Sequence, residues 1–196
     1  MLKDADIRDP LFDFLDENYG KIRIIEEKTM GKSRADVVMI SEDALFGLEI
    51  KSDADSYARL KRQVKDYDKY FDYNFAVVGA SHALHIREHI PDYWGIITVE
   101  EINGCPDLYI YRIPKANPKV NLKLQMKILW RNELAALQAF FKMPKYTNKS
   151  KDFIISKIVE RTLLEDNHKS KIDLKTLKPL ISAQLMERDY TLLGRN

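Results

Sequence analysis

Cysteine is nearly missing. Among 196 residues only Cys105 carries a thiol, which excludes an intramolecular disulfide and a cysteine-built zinc module. Glycine and proline are sparse at seven each, too few for a collagen-like or low-complexity chain. No apolar run approaches the ~18 residues of a membrane span, so no membrane partner is expected. The opening MLKDADIRDPL is too acidic and too poor in apolar residues for a signal peptide, and a cytoplasmic protein is the expectation. There is no Gly-rich dinucleotide turn and no Ser/His/Asp elbow. Residues 29–33 (TMGKS) lack the first glycine and the spacing of a phosphate loop. What is present is an ordinary globular share of apolar residues, 45%, which is enough for a core without covalent staples.

The net charge of +2 hides an asymmetry. Residues 1–114 hold 15 Lys and Arg against 22 Asp and Glu, a net of −7. Residues 115–196 hold 17 against 8, a net of +9. Within 115–151 nine cations face Glu133 alone. A field of that sign attracts polyanions and releases their counterions on binding. A solvated lysine-rich face is the plain alternative. Pro114 and Pro118 mark a linker, so the chain divides into residues 1–114 and a basic, mainly helical region of residues 115–196.

Hydrophobic spacing gives the order of elements. Leu11, Phe12, Leu15 and Tyr19 place a helix over 5–18, capped by Asp4 or Asp6 and closed by Gly20. Strands follow at 21–27, 35–40 and 45–51, with a turn at 29–33. Tyr57, Leu60, Val64, Tyr67 and Phe71 stripe a helix over 56–71. A strand at 74–79, a short helix over 81–89 and strands at 93–100 and 107–113 complete the first region. Helices near 129–142, 151–165 and 174–189 fill the second. A hairpin followed by helix–strand alternation predicts a mixed α/β sheet flanked by helices, with a helical extension at the C-terminus.

The hairpin carries the chemistry. Side chains alternate along a strand, so Phe46, Leu48 and Ile50 share one face of 45–51, and Gly47, Glu49 and Lys51 the other. A loop centred on Glu42 and Asp43 pairs residues whose numbers add to 85, which sets Asp36 against Glu49. Directly opposed residues have Cβ atoms ~5 Å apart. Two carboxylates that close repel, and one stays protonated unless a cation lies between them. A hard divalent ion with oxygen ligands relieves the conflict, and Lys51 stands beside it. A polar hairpin face could also carry these residues as surface ion pairs.

Arg34-Ala35-Asp36-Val37, then Gly47-Leu48-Glu49-Ile50-Lys51-Ser52, then Arg59-Leu60 and Gln63-x3-Tyr67 resemble the PD-(D/E)XK nuclease superfamily. The likeness covers residues 5–100 and is to its small bacterial and prophage-encoded branch, MmcB-like repair nucleases among them. Ala35 replaces the family's usual proline. The resemblance implies a restriction-endonuclease-like fold and a deoxyribonuclease that uses Mg²⁺ or Mn²⁺. Asp36, Glu49 and the carbonyl of Ile50 would hold the ion, and Lys51 would orient or deprotonate the attacking water. Relatives often add an upstream acid; Glu27 is the first candidate here and Glu17 the second. Gln63, on one helix face with Leu60 and Tyr67, could bind phosphate or a metal-bound water. Tyr67 belongs to the core with its hydroxyl near the site, and Arg34 could contact phosphate or simply pair with an acid.

Two further signals rank lower. His82, His85 and His89 share a helix face, but no nearby ligand completes a zinc site. In the basic tail, Lys142, Lys145, Lys149 and Lys151 could contact DNA, or the tail helices could cap the sheet edge or form a homodimer. A DNA-binding or regulatory protein that keeps the nuclease fold without turnover is the alternative to an enzyme, and a protein–protein adaptor is a third.

Overall fold

The computed structural model describes residues 2–189. They form two compact units that meet between Val120 and Asn121. The first contains α1 (Asp4–Tyr19), β1 (Arg23–Met30), β2 (Ser33–Ile40), β3 (Leu45–Lys51), α2 (Leu60–Tyr70), β4 (Tyr73–Gly79), α3 (Ala80–Ala83), β5 (Gly95–Ile102) and β6 (Cys105–Arg112). The second contains α4 (Leu122–Gln125), α5 (Arg131–Phe140), α6 (Lys151–Thr162) and α7 (Leu174–Met186). The six strands form one sheet in sequence order. β1, β2 and β3 pair antiparallel, β3, β4 and β5 parallel, and β6 returns antiparallel on β5. This is the mixed α/β architecture expected from the sequence, with helices following the sheet.

β3 lies near the middle of the sheet, and all seven of its residues are buried. Phe46, Leu48 and Ile50 join Val37, Met39, Phe75, Val77, Ile97 and Val99 in a core that takes Ile7, Leu11 and Leu15 from α1. The opposite face is set by Gly47. A Cβ there would lie 2.2 Å from the Phe71 ring and 2.7 Å from the Tyr67 ring. The missing side chain lets α2 descend onto the sheet, which carries Gln63 and Tyr67 to the polar positions of β3.

The hairpin register is the one derived from its loop. Val37 pairs with Leu48, Val38 with Gly47, Met39 with Phe46 and Ile40 with Leu45. The ladder ends one pair short of Asp36 and Glu49. On its other side β2 keeps a constant register with β1, from Arg23 against Ile40 to Met30 against Ser33, and Glu27 falls opposite Asp36 without joining the ladder.

Several boundaries differ from the sequence reading. β1 runs to Met30, so the expected turn at 29–33 narrows to Gly31 and Lys32. Gly31 has φ +57°, a conformation that glycine adopts without steric cost. Neither Asp4 nor Asp6 is the N-cap of α1. Lys3 is, and Asp6 at the third helical position reaches back to accept the Lys3 N–H at 2.8 Å. The helix expected over 56–71 opens as one 3₁₀ turn before α2 starts at Leu60. The helix expected over 81–89 breaks into α3 and a 3₁₀ turn at Ile86–Glu88. The short α4 had no counterpart in the sequence reading, because one turn leaves no periodic stripe.

After β6 the chain crosses back to α2. The Asn117 side-chain amide donates to the carbonyls of Asp68 and Phe71 at 2.8 and 2.7 Å. The buried Asp68 carboxylate accepts from Tyr93 Oη at 2.6 Å and Trp94 Nε1 at 2.9 Å, and it pairs with Lys119 at 3.3 Å. In the second unit the buried pair of Glu133 and Arg188 closes at 2.6 Å, with the guanidinium 4.4 Å from the centre of the Trp130 ring. No described helix is long and apolar enough to cross a membrane.

Candidate active site

The polar face of β3 opens into a cleft of about 530 Å³ at the end of the sheet. Its lining includes the buried Glu49, Ile50, Lys51 and Gln63, the half-buried Asp36, then Asp4, Arg8 and Glu27, and the exposed Lys32, Arg34, Arg59 and Arg62. The structure therefore gathers Asp36, Glu49, Ile50, Lys51, Gln63, Glu27 and Arg34 from the sequence reading in one place. Tyr67 lies directly behind. Lys142, Lys145, Lys149 and Lys151 belong to the second unit.

Glu49 is fully buried and Lys51 is 3% exposed; Lys51 Nζ meets Glu49 Oε1 at 2.5 Å. The Gln63 amide donates to the same oxygen. Gln63 thus serves the carboxylate, where the sequence reading gave it phosphate or a metal-bound water. Glu49 Oε2 and Gln63 Oε1 remain buried with no hydrogen-bond partner. An unsatisfied carboxylate oxygen in the interior is costly, and its position marks where a cation would be favoured. Burial raises the Glu49 pKa despite the Lys51 ion pair and the Gln63 hydrogen bond.

Asp36 stands across the hairpin. Its Oδ2 accepts the Ile50 N–H at 2.9 Å. Burial, and then the nearby Glu49 charge, push its carboxyl up to about 7. Proximity of the two acids is thus expressed in the pKa, although the pair stands beyond the last ladder rung. Tyr67 explains where the ladder stops. Its hydroxyl accepts the Asp36 N–H at 3.2 Å and donates to the Leu48 carbonyl at 3.1 Å, bridging β2 and β3. Burial, followed by the charges of Glu49 and Asp36, holds this phenol well above its ordinary pKa, so it remains a donor. Tyr67→Phe is expected to leave the Asp36 N–H and the Leu48 carbonyl short of a partner, at a cost of about 1–3 kcal/mol. Urea unfolding measures it, and a loss below about 0.5 kcal/mol would show that the bridge is dispensable.

Glu27 takes φ +53° inside β1, a left-handed conformation that costs roughly 1–2 kcal/mol for a residue with a Cβ. The turned residue pairs with Arg8 at 2.6 Å and with Arg34 at 2.5 Å. Arg8 is the hub of this side. It also meets Asp4 at 2.9 Å and Glu26 at 3.1 Å, and it reaches the Asp36 carbonyl at 3.4 Å. Burial opposes its charge, but Asp4, Glu26 and Glu27 outweigh that and raise its pKa. Glu17, the second candidate for the upstream acid, does not line the cleft; Asp4, at the other end of α1, does. The sequence reading gave Asp4 only a capping role. Its spacing of four from Arg8 was the available signal. Lys32 and Arg62 were also missed, and Arg59 entered only as part of the motif; the local spacing of Arg59, Arg62 and Gln63 was the available signal for the two arginines.

Two carboxylates with a spare oxygen form a hard-donor set suited to Mg²⁺ or Mn²⁺. Among the described residues no three His, Cys, Asp or Glu side chains gather as a metal-holding group. The fit therefore rests on Asp36 and Glu49, with further oxygens from the main chain and water. The histidines do not converge. His82 and His89 pack on Tyr57 at ring distances of 4.8 and 4.0 Å. His85 pairs with Glu88 at 3.2 Å.

The family described as bacteriophage P4 protein cII matches residues 2–188. No curated protein matches the chain. Among solved structures, SfsA of Pyrococcus furiosus in complex with Ca²⁺ is similar over 60% of this chain and 65% of its own, at 14% identity and a TM-score of 0.36. The match thus spans just under two-thirds of that structure's length.

Proposed function

Taking as premise that the chain belongs to the bacteriophage P4 protein cII family, we propose that it is a divalent-metal-dependent nuclease of the PD-(D/E)XK kind, hydrolysing phosphodiester bonds in DNA. One observation carries the reading. Glu49 is buried and committed through one oxygen to Lys51 and Gln63, its other oxygen is buried without a hydrogen-bond partner, and Glu49 and Asp36 line the same cleft. A core that tolerates such an arrangement gains from a cation.

Asp36 and Glu49 would hold Mg²⁺ or Mn²⁺, with the Ile50 carbonyl as a further oxygen. When bound, the ion supplies Lewis-acid charge for the phosphoryl group and a lower pKa for water. The chain's own residues do the rest. Gln63 fixes the rotamer of Glu49. The Ile50 N–H fixes that of Asp36. Lys51 holds positive charge in the cleft, where it can orient water or stabilise charge on phosphate. Lys142, Lys145, Lys149 and Lys151 would add electrostatic attraction for DNA from the second unit.

The test is incubation of plasmid and linear DNA with the purified protein in Mg²⁺, Mn²⁺ or EDTA. Cleavage in the metals and none in EDTA is the expected outcome. Binding to DNA without cleavage in either metal would favour the second reading, a regulatory DNA-binding protein on the same fold. The absence of a third acidic or histidine ligand among the described residues speaks for that alternative.

A further inference from the structure

Three cations at the cleft are not used by the site itself. Lys32 sits in the β1–β2 turn, and Arg59 and Arg62 lie at the start of α2. All three line the cleft and are exposed. Their neighbours there are paired internally: Arg8 with Asp4, Glu26 and Glu27, Arg34 with Glu27, and Lys51 with Glu49. Asp55 is occupied with the N–H and hydroxyl of Ser52, at 2.9 and 2.7 Å. No ion pair engages Lys32, Arg59 or Arg62 among the described residues.

The two elements that carry these cations are fastened together. Ser33 Oγ donates to Asp66 Oδ2 at 2.7 Å, and both residues are buried. That bond ties the base of the turn that carries Lys32 to α2, next to the segment that carries the arginines. Like charges held near one another repel, and an anion spanning them removes that cost.

We propose that Lys32, Arg59 and Arg62 form the wall that grips the phosphodiester backbone of a DNA strand lying across the cleft. This rests on the nuclease reading, and it assigns the substrate's path within that site. Two chemistries are then separated in space. Asp36 and Glu49 present acids for a cation, and the wall presents unpaired positive charge for the phosphates beside the scissile one. Contacts of this kind position a strand without reading its bases.

The experiment measures binding of a labelled 30-nucleotide DNA strand by the full chain in EDTA, over a series of NaCl concentrations. Three proteins are compared: the wild type, the triple variant Lys32→Ala/Arg59→Ala/Arg62→Ala, and a control, Lys21→Ala/Lys61→Ala/Lys65→Ala. The control loses the same charge from exposed positions of the first unit outside the cleft. The wall variant is expected to bind at least tenfold more weakly at low salt. Its log–log salt slope should be shallower by about 2, from three lost contacts at ~0.7 counterion each. The control should keep the wild-type slope. Equal losses in the two triple variants would overturn the inference, because net charge alone would then account for binding. An unchanged wall variant would overturn it as well. A wild type that binds no DNA at low salt and cuts none in Mg²⁺ or Mn²⁺ would remove the nuclease reading itself, which separates that failure from a failure of the wall.

Discussion

Lys51→Ala should abolish metal-dependent DNA cleavage and at the same time weaken the fold. The two losses have different causes. Lys51 is 3% exposed and its ammonium meets a Glu49 that is fully buried. Deleting it leaves a carboxylate in the interior without its countercharge, supported by the neutral Gln63 and Tyr67 side chains. Breaking a buried pair from one side costs about 3–5 kcal/mol, so reduced activity in this variant would be ambiguous. Replacing both partners resolves it. Glu49→Gln/Lys51→Met keeps the volume, lets the introduced amide bond with Gln63, and removes both charges. This double variant should regain most of the stability lost by Lys51→Ala, as read by urea unfolding, yet show no cleavage in Mg²⁺ or Mn²⁺. Loss of a positioned proton-transfer or charge-stabilising group typically costs 10²–10⁴-fold in rate, and loss of Glu49 would also remove a metal ligand. A stable double variant that still cuts DNA would take both residues out of the chemistry.

Lowering the pH should stabilise the metal-free protein. Asp36 has its carboxyl pushed up to about 7 by burial and by the charge of Glu49, against an ordinary value of 3.8. Between those two values the folded chain binds more protons at this position than the unfolded chain. Stability therefore falls as pH rises through that window. The contribution is greatest below about 4 and lost above about 7. A shift of this size corresponds to something on the order of 2–4 kcal/mol after allowance for solvent screening. A melting temperature several degrees higher at pH 5.5 than at pH 8 is expected in EDTA. Adding Mg²⁺ should raise the pH 8 value more than the pH 5.5 value, because a cation binds the ionised pair and competes with the proton. Asp36→Asn should flatten both dependences. If that variant keeps the full pH dependence, the titrating group lies elsewhere.

These expectations were only partly readable in the chain. The hairpin was. Alternation of Phe46, Leu48 and Ile50 with Gly47, Glu49 and Lys51 assigns faces because a strand repeats every two residues. The loop centred on Glu42 and Asp43 then fixes every partner across the hairpin, and the observed pairs follow it from Ile40 and Leu45 to Val37 and Leu48. The extension to Asp36 and Glu49 was only half legible. Their proximity follows from the register, whereas the Tyr67 hydroxyl that ends the ladder comes from a helix 31 residues away.

Local rules, then, settled the order of elements along the chain and the faces and register of the hairpin, since periodicity and loop length act between near neighbours. Tertiary packing decided the rest. Gly47 admits α2, and that approach brings the Gln63 amide to Glu49. α1 lies so that Arg8 gathers Asp4, Glu26 and Glu27, which makes Asp4 and not Glu17 its acid at the cleft. A bond from Ser33 to Asp66 ties the turn that carries Lys32 to α2. Each of these joins residues brought near by the docking of a helix on a sheet, and docking depends on side-chain volumes summed over the whole core, which no short stretch of sequence encodes.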